Sequence, residues 1–343
     1  FLAGAGQGNS AFTIDFEVED AFTARSVALT PGNVGWAGRC EVLAAGEDGQ
    51  FNTVKQFKFD RSNMEIHVGF MPRGPVVVSF PATTAKQFRL AFTHVGGQAA
   101  LAEIELSEAA RVESVIEKQL AKMHPTPLPM WDTYLWPTQA EPEAPELTIP
   151  TNGVINLTGR LLANDVLRWE VPPGDWIILR TGMTPTGTRN APASPEGRGL
   201  EVDKMNRAAA KFHFEAFMGQ VLKRMPADQR KALTHVVADS YEMGSENWTY
   251  GFEATFRARY GYDPLPWLPV LTGRIVGSAD QSERFLWDLR RLVADHVAKD
   301  YVGGLREQCN ANGLKLWLEN YGHWGFPAEF LQYGGASDCV GGE

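Results

Sequence analysis

The sequence has only three cysteines, Cys40, Cys309 and Cys339, far apart and without any CxxC pair. That excludes a disulfide framework and a zinc knuckle. Long apolar runs are absent as well: stretches such as Pro75 to Phe80 and Trp176 to Leu179 fall far short of the roughly 20 residues a membrane helix needs. Positive charge is scarce, with 32 Lys and Arg against 41 Asp and Glu, a formal net charge of −9 and no basic cluster. Neither a nucleic-acid backbone nor an anionic membrane is therefore expected as a partner, since both require a positive stripe. No Ser-His-Asp order, HExxH, Walker loop or kinase signature occurs, so nucleophilic-serine and phosphoryl-transfer chemistry have no support. The cluster Gly4-Ala-Gly6-Gln-Gly8 lacks dinucleotide-fingerprint spacing and leads into a strand pattern, so no nucleotide role is expected of it. Phe1 is preceded by no Met, basic region or cleavage site, and Glu343 follows directly on a strand-like stretch. The expectation is a mature or internal piece of something larger.

What is present is the composition of an ordinary globular chain. The 343 residues are 44% hydrophobic and 21% charged, with 19 Phe, 10 Trp and 8 Tyr, enough for two or three packed cores. The 34 glycines and 21 prolines exceed the usual ~12% share of these two residues and favour turns. Over residues 1–110, polar and apolar residues alternate in short runs: Phe12 to Val18, Phe57 to Phe59, Val76 to Phe80, Phe88 to Phe92 and Ala102 to Leu106. Period two means strands with one buried face, and seven or eight such strands predict an all-β sandwich. The expectation taken for it is a galactose-binding-like type resembling a carbohydrate-binding module, which the strand pattern alone does not show. Residues 111–175, with prolines at 125, 127, 129, 137, 142, 145 and 150, read as an extended linker with short strands at Val154 to Leu157 and Val166 to Trp169.

Residues 176–343 change to strand, loop, helix. Strands are expected at Trp176 to Arg180, His235 to Asp239, Leu314 to Leu318 and near Asp338. Helices are expected over Lys204 to Met225 and from Gln281 to about Cys309, the second capped by Asp280 and Glu283. Alternation of this kind predicts parallel β/α units, the first half of a (β/α)8 catalytic barrel in a multi-domain chain.

Active sites of such barrels lie at the carboxyl ends of the strands. Those positions hold Asp239 and Glu242, Glu319 and Asn320, and Glu343, with Arg189, Asn190, Glu196, Glu201 and Asp203 in the loop behind the first strand. Clustered carboxylates suit glycoside hydrolysis, one carboxyl protonating the leaving oxygen and another acting on water or carbon. They equally suit a hard cation such as calcium. Trp248, Trp267, Trp317 and Trp324 fall in or beside the same loops and suit sugar stacking, although core packing accounts for tryptophans as well. The bland alternatives are solvated loop charges or helix caps for Asp239 and Glu242, dipole-favouring acids for Glu201 and Asp203, and a core histidine for His296.

The stretches Gly197 to Lys204, Asp239-Ser-Tyr-Glu242 with Asn247-Trp-Thr249, Arg259 to Asp263, Arg284 to Arg290 and Glu319-Asn-Tyr-Gly322 resemble the α-L-rhamnosidases of glycoside hydrolase family 106. Phe88 to His124 looks like that family's embedded β-sandwich. The resemblance implies an inverting enzyme that releases terminal α-L-rhamnose from plant polysaccharides or glycosides, assisted by calcium, in the bacterial periplasm or secreted. It implies Glu242 and Asp239 as catalytic carboxylates, and a second catalytic glutamate past Glu343. Glu319, Asn320, Trp248, Glu343 and Arg189 would bind substrate, and Glu201 and Asp203 would hold the metal. The rival expectations are a non-catalytic carbohydrate-binding protein and a glycosidase acting on another sugar.

Overall fold

The computed structural model describes residues 2–3, 10–122, 136–226, 228–322 and 325–342. The Gly4 to Gly8 cluster, His124, Pro125, Pro127, Pro129, Trp324 and Glu343 lie outside the described residues.

Alternating residues in the first third build a six-stranded antiparallel sheet in the order β1-β6-β2-β5-β3-β4. Its strands are β1 (Leu2–Ala3), β2 (Ser10–Pro31), β3 (Ala37–Ala45), β4 (Phe51–Asp60), β5 (Val76–Val95) and β6 (Ala99–Ser107). The count corrects the expected seven or eight short strands, because β2 and β5 run 22 and 20 residues. Val76 to Phe80 and Phe88 to Phe92 are one strand, and the proline between them does not break it. Pairing steps from Ala24↔Thr83 to Ser26↔Ser79, so Pro81 falls in an irregularity where its missing N–H costs no ladder bond. Inward positions form a core in which Trp36 stacks on Phe59 at 4.1 Å and donates its indole N–H to Ala100 O at 2.8 Å. Phe88, Phe92, Leu90 and Val42 belong to the same core.

The link to the second half is charged and buried. In α1 (Val115–Lys118), Glu117 pairs with Arg61 at 2.7 Å, and Lys118 pairs with Glu283. Arg61 also donates to the carbonyls of Asp60, Gly74 and Pro75, which satisfies a guanidinium that is only 2% exposed.

Residues 136–200 carry isolated 3-10 turns and bridges. The expected strands at Val154 to Leu157 and Val166 to Trp169 are absent; a Leu161↔Leu167 bridge stands in that region. Trp176 to Arg180 is irregular too, with Ile177 69% and Ile178 58% exposed. An apolar run becomes a strand only against an edge that supplies hydrogen bonds, and no described strand pairs with this one.

The expected helix from Lys204 to Met225 is two: α2 (Arg207–Ala216), capped by the Asn206 side chain, and α3 (Met218–Arg224). They break at Phe217, whose ψ is −77°. After α4 (Phe252–Tyr260) comes the long amphipathic α5 (Ala279–His296). Its cap is Ser278, which accepts from Gln281 N, and not Asp280, whose carboxylate instead holds Arg284 at 2.7 Å. A π turn over Val297–Val302 joins α5 to α6 (Gly303–Ala311). With α7 (Phe330–Gly335) these helices share one hydrophobic core with a parallel sheet β7-β8-β9, made of His235–Ala238, Lys315–Glu319 and Cys339–Gly341, and α6 packs directly on β8. Leu316 and Leu318 are buried in that core with Phe285, Leu289 and Leu292, while Val237 on the other face of the sheet is 62% exposed. No described helix is long and apolar enough to cross a membrane.

Candidate active site

Register decides which carboxylates meet. Ala238 pairs with Leu318, so Asp239 and Glu319 leave their strands level with one another, on neighbours roughly 4.8 Å apart. Side chains alternate, which puts both on the open face that carries Val237 and Trp317. On β9, Gly341 pairs with Glu319, and a Cβ there would lie 2.0 Å from the Trp317 ring. Glycine lets that indole lie across the sheet beneath the carboxylates.

The loops after β7 and β8 are joined to each other. Tyr241 N–H donates to Tyr321 O at 3.0 Å, and Tyr241 bridges to Gly322. The Tyr241 hydroxyl donates to Gly244 O at 2.6 Å, and burial pushes that phenol well above its ordinary range. Glu242 sits half-buried in this loop and accepts from the Ser240 hydroxyl at 2.8 Å. Asp239 is exposed. Asn320 donates its backbone N–H to Gly341 O at 2.7 Å and its amide to Phe330 O at 3.2 Å, while its Oδ1 is buried without a partner among the described residues. Asp239, Glu242, Glu319 and Asn320 are thus brought to one sheet edge, as the sequence predicts.

The other candidates fall elsewhere. Trp248 packs on Phe252 at 4.6 Å and on the helical core, and Trp267 stacks on Phe285, the structural alternative for both. Arg189 is exposed in a short antiparallel excursion opposite Leu200 and makes no hydrogen bond or ion pair among the described residues.

Glu201 and Asp203 belong to a cluster centred on Lys204, which is 5% exposed. The Lys204 ammonium donates to Glu201 Oε2 at 2.5 Å and lies 5.5 and 5.6 Å from the Tyr241 and Tyr301 rings. Burial opposes its charge, yet Tyr301 and Glu201 hold its proton above the ordinary lysine range. Asp203 accepts from Met205 N–H at 3.0 Å and from the Thr249 hydroxyl at 2.6 Å. This donor set suits an ammonium better than calcium: Glu201 is already paired with the Lys204 ammonium, and the Asp203 oxygens already accept from Met205 and Thr249. Among the described residues no three His, Cys, Asp or Glu side chains converge on a metal position.

A carboxyl overlooked in the sequence completes the cluster. Glu246 accepts from Lys204 N–H at 2.9 Å, and its pKa is pushed up to about 7 by burial and by the neighbouring Asp203. The only local signals are that Glu201 and Lys204 stand three apart and that Glu246 follows Glu242 by four, and neither spacing reports that Glu246 meets Asp203 and Lys204. A carboxyl with that pKa is about half protonated near pH 7.

The model of glycoside hydrolase family 106, described as alpha-L-rhamnosidase, matches residues 23–343. The structure of a rhamnosidase from Novosphingobium sp. PP1Y superposes with a TM-score of 0.75 at 25% identity, covering 95% of this chain and 29% of that one. A curated protein of Formosa agariphila, bearing the provisional name beta-glucuronidase, is 42% identical over 195 residues, covering 57% of this chain and 16% of its own length. The chain therefore spans less than a third of either relative.

Proposed function

The chain belongs to glycoside hydrolase family 106, and from that membership we propose that it carries part of the site that releases terminal α-L-rhamnose from a glycoside with inversion. One observation carries the reading: Asp239 and Glu242 after β7 and Glu319 after β8 share the carboxyl edge of adjacent parallel strands. That is where a (β/α)8 barrel keeps its chemistry, and β7–β9 with their helices are read as part of one, following a β-sandwich.

Inversion needs two carboxyl groups about 6.5–9.5 Å apart, one giving a proton to the leaving oxygen and one taking a proton from the attacking water. Glu242 is assigned to one of these roles. The opposing group is read as coming from a later strand, consistent with the 29% of the Novosphingobium rhamnosidase that this chain covers. Asp239, Glu319 and Asn320 line the sugar subsite.

In the full-length protein, Glu242→Gln is expected to lower kcat on an aryl α-L-rhamnoside by at least a hundredfold with the fold retained. Activity within a few-fold of wild type overturns the assignment. Proton NMR of the same reaction is expected to show β-rhamnose first; α-rhamnose first would refute inversion. The provisional beta-glucuronidase name of the Formosa relative favours a second reading, hydrolysis of a glucuronide. Turnover of an aryl β-glucuronide in place of the rhamnoside would select it.

A further inference from the structure

The connection between β4 and β5 leaves the antiparallel sheet and reaches the carboxylate edge of the parallel one. Its 3-10 turn, Ile66–Val68, meets two glycines of the site loops. A Cβ on Gly244 would lie 2.5 Å from Ile66 O and 3.0 Å from His67 Cα. A Cβ on Gly325, in the loop beyond β8, would lie 2.5 Å from Val68 O and 3.1 Å from Gly244 Cα. Both glycines have positive φ, 76° and 78°, so conformation and space alike demand the missing side chain.

The contact is reinforced on either side. The Ser245 hydroxyl donates to Leu120 O, and Met71 N–H donates to Ala121 O at 2.7 Å. Segment 120–122 is thereby held between the turn and the loop. Gly244 O accepts from Tyr241, so residues 241–245, with Glu242 among them, are fixed at both ends by buried polar contacts. Water has no place in a backbone contact this close, and the loop cannot shift without breaking it.

We propose that the Ile66–Val68 turn of the antiparallel unit is a positioning element of the hydrolytic site, setting the place of Glu242 through Gly244 and Ser245. The inference rests on the reading of Glu242 as a catalytic carboxyl. Effective catalysis requires the reacting groups within about 0.5 Å of their productive geometry, and a methyl wedged against Ile66 O displaces the loop by more than that. The antiparallel unit is then an integral wall of the site, and hydrolysis depends on how it is seated.

The test uses matched glycines in the full-length protein. Gly244→Ala and Gly251→Ala carry the same positive-φ cost, since Gly251 has φ +77°, but Gly251 has open space where its Cβ would be. Gly244→Ala is expected to lower kcat on the aryl glycoside tenfold or more while KM changes less than threefold; Gly251→Ala is expected to stay within twofold. Ser245→Ala is expected to lower kcat three- to tenfold, and Ser245→Thr to restore it. The serine pair decides the matter if Gly244→Ala does not fold. Folded Gly244→Ala and Ser245→Ala enzymes with kcat within twofold of wild type overturn the proposal, as does an equal loss in Gly251→Ala. If Glu242→Gln keeps its activity, the underlying reading falls; if Glu242→Gln is inactive while the loop variants are not, only the positioning role falls.

Discussion

Lys122 is a buried amine, 2% exposed, whose Nζ is without a hydrogen-bond partner among the described residues. Burial first, and the Arg61 guanidinium second, push its pKa down from 10.5 to about 8, against the pull of Asp60 and Glu117. At ~1.4 kcal/mol per tenfold change in proton affinity, that fall corresponds to about 3 kcal/mol. The sign follows from where the protons are. Between about 8 and 10.5 the unfolded chain holds this proton and the native chain does not, so stability rises with pH across that window. Below about 8 both states are charged and the native state bears the whole penalty. Lys122→Met, which keeps the apolar stem and removes the charge, is therefore expected to stabilise the protein at pH 7 by up to about 3 kcal/mol. The gain should shrink as pH rises towards 10.5. Urea unfolding followed by tryptophan fluorescence, run on both proteins from pH 7 to 10.5, measures it; the difference between them isolates this amine from other groups that titrate in the range. A destabilised variant, or a difference that does not change with pH, would refute the argument.

Glu246 gives the opposite pH dependence: its pKa is raised to about 7, so its contribution is fully present below the ordinary carboxyl value of 4.5 and is lost as pH rises through 7. Relative to Glu246→Gln, the wild type should gain thermal stability as pH falls from 7 to 4.5, and parallel Tm curves for the two would count against the buried carboxyl. Calcium added to the protein is expected to leave the Glu201–Lys204 pair intact, so any calcium-dependent rise in Tm should survive Glu201→Gln. Loss of that rise in the variant would show Glu201 to be a ligand after all.

Period-two runs announced the strands because alternation is a local consequence of one buried face. The ends of β7 and β8 fell within a residue of expectation, which is why Asp239, Glu242, Glu319 and Asn320 were legible as a group. Trp176 to Arg180 misled because hydrophobicity records a wish to be covered and not whether an edge is available. Phe217 was equally opaque: the periodicity of Lys204 to Met225 continues through it while the backbone does not. The cluster around Lys204 was hidden for another reason. Glu246, Tyr301 and Asp203 are separated by more than forty residues from at least one partner each, and the raised pKa of Glu246 exists only once burial and a second acid are assembled around it.

The π turn at Val297–Val302 acts on the helix as a frameshift acts on a reading frame. Up to His296 the apolar stripe runs through Phe285, Leu289, Leu292 and Val293, phased against the core between the helices. One wide turn adds an extra residue per revolution, and everything downstream is read about 100° out of phase. Leu305 and Cys309 then face inwards alongside Gly304, whose missing side chain admits Arg207 and Ala210 of α2. A single-residue deletion in this turn would restore an uninterrupted α-helix and rotate α6 so that a different set of residues meets α2 and β8. The unusual turn is what allows one continuous rod to serve two neighbours that an ideal helix could not face in succession.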